Sequence, residues 1–101
     1  LQVDRPLRDK NSLKEASTRF RFVAGGEAPD PRCCLVLARP ATGRLHQIRR
    51  HLKGLSHPVV GDSAHGESRF NRDIVKDHGA PAGRLLLHCL RIHLPTLPRP
   101  G

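Results

Sequence analysis

The stretch "ATGRLHQIRRHLKGLSHPVVGD", residues 41–62, decides how this chain is read. Leu45, Ile48, Leu52 and Leu55 recur at three- and four-residue spacing. That spacing predicts an amphipathic helix of about three turns over residues 45–55. Thr42-Gly43 turns the chain into the helix, and His57-Pro58 breaks it. The helix carries a doubled arginine. Arg49 sits beside the apolar stripe, with Leu45 and Leu52 as its i−4 and i+3 neighbours. Arg50 points away, toward solvent. A partly buried guanidinium needs a carboxylate or phosphate partner, because an unpaired buried charge is costly. Two readings stay open for Arg49: it holds a catalytic Asp or an RNA phosphate, or it snorkels at the rim of the core.

Upstream, "ASTRFRFVA" (16–24) alternates, with Thr18, Phe20 and Phe22 on one face and Arg19 and Arg21 on the other. This is a half-buried strand. "GGEAPDPR" is turn chemistry, and "CCLVLARP" (33–40) is a second strand ended by Pro40. The pair reads as a hairpin. Downstream, "PVV" (58–60) reads as a short strand and "GDSAHGES" as a polar loop that either contacts RNA or merely connects. "SRFNRDIVKDHG" (68–79) reads as a second helix, with Ser68 as N-cap and Gly79 as its stop. "RLLLHCLRIHL" (84–94) alternates as a strand covered in part on both faces. Residues 1–15 read as a connecting segment and 95–101 as a Pro-rich tail, leaving 16–94 as the body. The fold class is α+β: a mixed, mainly antiparallel sheet with helices packed on one side.

Composition narrows the partners. The chain has 101 residues, enough for one small domain with a modest core. Its 18 Lys and Arg outnumber 9 Asp and Glu, giving a net charge of +9 that favours a polyanion such as nucleic acid over a solvated basic surface. With three Phe and no Trp or Tyr, the composition disfavours a single-strand binder built on aromatic stacking. Thr42, Gly43 and Arg44 before the helix suit phosphate binding, although an ordinary N-cap at Thr42 accounts for them as well. Three Cys make no disulfide framework and fit a reducing, cytoplasmic compartment. No His or Cys pair has a usual zinc-ligand spacing, so no metal is expected. No apolar run is long enough to span a membrane, and no signal peptide is present. The chain has no Met and begins at Leu1, which predicts a piece of a longer protein.

The ordered motifs "TGRLHQIRRHL", "HPVVGD", "HG", "NR" and "RLLLHCL" resemble the C-terminal half of the RluA-type pseudouridine synthases. The doubled Arg, with "FNR" after it, looks most like the tRNA pseudouridine synthase C branch. The likeness runs over residues 16–94. It implies an isomerase that detaches uracil from ribose at N1, turns it and rejoins it through C5, with no metal and no cofactor. It implies that Arg49 pairs with the family's catalytic Asp, and that Leu86 or Leu87 lines the uracil pocket. Thr42, Gly43, Arg44, His46, Gln47, Arg50, Lys53, His57 and Arg72 are the expected RNA contacts, with tRNA ahead of rRNA as partner. The family's H-R-L-D-x-x-T-S-G motif is absent, and so is its Tyr. Asp4 in "QVDRPLRDK" lacks the flanking residues of that motif. The chain alone is therefore expected to be inactive, as one wall of a divided site. The alternative is a non-catalytic basic RNA-binding module. A ribosome-associated structural protein fits the charge but leaves the ordered motifs unexplained. An incomplete sheet with an exposed edge also predicts a non-native dimer.

Overall fold

Alternation along residues 18–25 sends successive side chains to opposite faces, and this makes the central strand. A computed structural model describes residues 1–27, 30–79 and 83–92. The order of elements is β1 (Gln2–Val3), β2 (Leu7–Asp9), β3 (Ser12–Lys14), β4 (Thr18–Gly25), β5 (Cys34–Pro40), α1 (Gln47–Gly54) and α2 (Ser68–His78). In β4, Thr18 and Phe20 are buried while Arg19 and Arg21 are exposed. β5 pairs with β4 as the expected antiparallel hairpin, in a register that sets Thr18 opposite Pro40 and Phe20 opposite Ala38. The register shifts between Phe22 and Ala24. β1 lies on the other side of β4, so the sheet order is β1-β4-β5. β2 and β3 form a separate antiparallel pair. The class is α+β, with antiparallel strands throughout the described sheets.

Residues 1–15, read from the sequence as a connecting segment, are not without secondary structure. They hold three strands of two or three residues each. Strands this short show no period, and β1 is ordered by a distant partner, Gln2 pairing with Arg19. The expected strand at 58–60 is also absent. Pro58 offers no amide hydrogen, and a turn follows at once through Gly61, where φ is +83°. Residues 84–92 run without strand structure, touching 58–61 through one backbone bond, Leu86 N to Val60 O at 2.9 Å. His93, Leu94 and the Pro-rich tail lie outside the described residues.

Helix α2 spans the expected residues. Its N-cap is Glu67 rather than Ser68, and Gly79 ends it in the left-handed conformation. Helix α1 is shorter than predicted and begins after His46, which is itself left-handed. Thr42 is not its cap. The predicted apolar stripe is also not its buried face: Leu45 is 67% exposed, and the buried residues are Gln47 and His51.

Two polar residues occupy that face because a hydrogen-bond chain satisfies both. Gln47 Nε2 donates to Ser17 O and to Thr18 Oγ1, each at 2.9 Å. Thr18 Oγ1 lies 2.8 Å from His51 Nδ1, and His51 Nε2 lies 2.8 Å from Arg5 O. A carbonyl only accepts, so His51 Nε2 donates to Arg5 O, and in the neutral ring Nδ1 accepts from the Thr18 hydroxyl. Every donor then has an acceptor. The network ties β4 to α1 and to the segment after β1. The buried apolar residues are few: Leu7, Ala16, Phe20, Val59 and Ile74.

Candidate functional site

One turn of α1 beyond His46 places Arg49 against the loop that follows Val59. Arg49 Nε donates to Asp62 Oδ2 and Nη2 donates to Oδ1, both at 2.8 Å. This is a side-on, bidentate pair. The Asp62 side chain is fully buried, and that of Arg49 is 17% exposed. Asp62 Oδ1 also accepts from the backbone N–H of Ala64 at 3.0 Å and of His65 at 2.8 Å. The Arg49 guanidinium holds the Asp62 carboxyl well below the usual carboxylate range; burial works against this, and the two backbone donors assist it. Asp62 in turn raises the Arg49 pKa. A carboxylate with four donors and a depressed pKa is neither a base nor a free nucleophile at neutral pH. Its role is to fix the guanidinium. Among the described residues Arg49 Nη1 donates to no partner, so one edge of the guanidinium stays open.

The loop that carries Asp62 is itself clamped. Asn71 of α2 accepts from Gly61 N at 3.0 Å through Oδ1 and donates to Asp62 O at 3.1 Å through Nδ2. Gly61 combines a positive φ with the close approach of the Arg84 carbonyl, which leaves no room for a Cβ. Across the loop, His46 Nδ1 lies 3.1 Å from His65 Nε2, with the rings edge to face. Burial pushes the His65 pKa down. Beside the loop lies a cavity of about 220 Å³, with Val60, Ile74, Val75 and Leu86 as apolar lining and Asn71, Arg72 and Arg84 as polar lining. Among the described residues no three His, Cys, Asp or Glu side chains gather as a metal set.

Over 99 residues the chain is 41% identical to a tRNA pseudouridine synthase C from Salmonella typhi, covering 91% of this chain and 37% of the relative. It is 47% identical over 93 residues to the tRNA pseudouridine synthase C of Vibrio vulnificus, covering 85% of this chain and 37% of the relative. The protein of that name from Yersinia pestis is 43% identical over 72 residues, or 71% of this chain. By sequence, the chain belongs to the pseudouridine synthase family. It spans 27% to 37% of the length of these three relatives. No family model matches it, and no solved structure does.

Against the expectations drawn from the pseudouridine synthases, the structure gathers some residues and separates others. Arg49 has a carboxylate inside the chain, Asp62, which the sequence reading left in a connecting loop. Asp4 is not that partner: it accepts from Ser17 Oγ at 2.6 Å and from Gln2 Nε2 at 3.0 Å. Those bonds, Ser17 first, lower its pKa. Leu86 lines the cavity with Arg72, whereas Leu87 does not. Thr42 and Gln47 are committed to internal bonds: Thr42 Oγ1 donates to Gln47 Oε1 at 2.6 Å and accepts from Ser17 N. Arg44 is half-buried, and its Nε donates to Glu15 O. Arg50 is half-buried rather than solvent-facing, and its Nη2 donates to Arg8 O at 2.8 Å. Gly43, His46, Lys53 and His57 are exposed. Asn71 and His65 were missed as site residues. Their signal was the pairing of "GDSAHG" with "FNR", whose reach across nine residues only the fold reveals.

Proposed function

We propose that this chain is the arginine-bearing C-terminal part, residues 16–94, of a pseudouridine synthase catalytic domain that isomerises uridine in tRNA. The observation that carries this reading is the state of Arg49. It is locked on one edge by Asp62 and open on the other, in a chain 41% to 47% identical to tRNA pseudouridine synthases C over most of its length. An aspartate supplied from outside these residues meets the open Nη1 edge. Arg49 then orients that carboxylate and keeps it ionised. In the reaction the C1′–N1 bond breaks and the C1′–C5 bond forms. N1 gains a proton and C5 loses one. The target nucleotide leaves its stack to be read, and its base enters the cavity that Leu86 lines. Lys53, Arg72 and Arg44 meet backbone phosphates around it, with Gly43, His46 and His57 exposed at the same surface. Thr42, Gln47, Arg50 and Leu87 act by supporting these residues rather than by direct contact.

Release of tritium from C5-labelled uridine in unmodified tRNA tests the reading. Pseudouridine and uridine have equal masses, so loss of the C5 hydrogen is the direct report. The full-length protein should release tritium, and residues 1–101 alone should not. Absence of release by the full-length protein would overturn the proposed activity.

A further inference from the structure

The face of the sheet turned away from α1 carries charges that the proposed site does not use. Thr18 faces α1 through Gln47 and His51, so Arg19 and Arg21 of β4 face the opposite way. Arg19 pairs directly with Arg39 of β5, and Arg21 with Leu37. Opposed residues in an antiparallel pair share a face, so Arg39 joins the two arginines of β4. Gln2 of β1 stands opposite Arg19 and completes the row across three strands. Like charges placed directly opposite each other destabilise a sheet. Nothing in the described fold offsets this. β1, β4 and β5 contain no Asp or Glu. Among the described residues none of the three arginines has a carboxylate partner. Arg19 makes one long bond, Nη2 to Gln2 Oε1 at 3.3 Å. Asp4, which follows β1, is taken up by Ser17 and Gln2.

We propose that Arg19, Arg21 and Arg39 form a second RNA-backbone contact surface, on the face of the sheet opposite the Arg49 site. The proposal rests on tRNA being the partner and adds where a distant part of that RNA is held. Phosphodiester groups supply the missing negative charge, and guanidinium forks match them geometrically. A large RNA reaches both faces of a sheet this narrow.

The test is the salt dependence of tRNA binding by the chain, followed by fluorescence anisotropy between 50 and 200 mM NaCl. Each lost phosphate contact should reduce the log–log slope by about 0.9. The triple variant R19Q/R21Q/R39Q should therefore lose about 2 to 3 from the slope, and the triple Lys variant should keep most of it. An unchanged slope in the Gln variant, alongside a reduced slope in K53Q/R72Q, would overturn this surface while leaving the tRNA reading intact. No tRNA binding by the unsubstituted chain would overturn both. A second measurement holds if the triple variant does not fold. Arg39→Gln alone relieves the repulsion, so without RNA it should match or exceed the parent in urea resistance. A clear loss of stability would mean that Arg39 serves the fold, and would overturn the proposal.

Discussion

At the residue scale the account turns on one ion pair. Removing the charge of Asp62 while keeping its shape, in Asp62→Asn, leaves Arg49 partly buried without a counter-charge. The cost should be about 3 kcal/mol, read as a fall in the urea midpoint. A change below about 0.5 kcal/mol would show that solvent already serves Arg49. The pH dependence has a fixed sign. Because the folded pKa of Asp62 lies below its ordinary value of 3.8, the unfolded chain takes up protons first as pH falls. The stability from the pair is therefore complete above that ordinary value. It drains away as acid carries the pH below about 4 toward the folded value. Asp62→Asn should flatten urea stability across this acid range, and an equally steep acid loss would assign it to other carboxylates. The sequence placed Arg49 beside the helix's apolar positions by spacing and left two readings open, an anion partner or a side chain snorkelling at the rim of the core. It did not identify the anion. Asp62 sits thirteen residues away, in a loop whose path is set by Gly61 and Asn71, and no periodicity reports a loop's path.

At the element scale, α1 was legible as a helix and illegible as a packed face. Its apolar residues predicted burial of a leucine stripe, yet Gln47 and His51 go inside. Helical spacing weighs apolar area and has no access to the partners that make a buried polar group tolerable. Those partners are Thr18 and the carbonyls of Arg5 and Ser17. Thr18→Val conserves volume and removes the hydroxyl that links Gln47 to His51. Two buried groups lose a partner, so a loss of about 2 to 3 kcal/mol is expected by urea unfolding. A neutral result would mean that water replaces the hydroxyl. The β4–β5 hairpin was readable because its strands alternate and its turn is rich in Gly and Pro. β1 was not, since two residues acquire strand structure only through partners fifteen and seventeen residues further on. The strand expected at 84–94 is not formed over the described residues 84–92 for the converse reason. Alternation marks a segment able to pair, and within the described residues Leu86 meets Val60 through a single backbone bond.

At the scale of the whole molecule, 101 residues enclose a core too thin to cover the sheet. Phe22 and Leu35 are each 62% exposed, and β5 has no partner on its outer edge among the described strands. Exposed apolar strands of this kind pair with one another. The isolated chain should therefore self-associate with rising concentration in sedimentation velocity, and Leu35→Lys should suppress it. A chain that stays monomeric at about 100 μM would contradict this. The basic charge and the order of the motifs, both visible in the sequence, pointed to an RNA-modifying family, and relatives covering most of the chain agree. The ion pair of Asp62 with Arg49 emerged only from geometry; that a second carboxylate uses the open edge is our proposal. It is tested most directly by tritium release from C5-labelled tRNA in the full-length protein carrying Arg49→Ala, with tRNA affinity measured alongside. Turnover should fall by at least about a thousandfold, while the dissociation constant changes by less than about tenfold. Near-normal turnover would contradict the account, since no carboxylate would then depend on the open edge of Arg49.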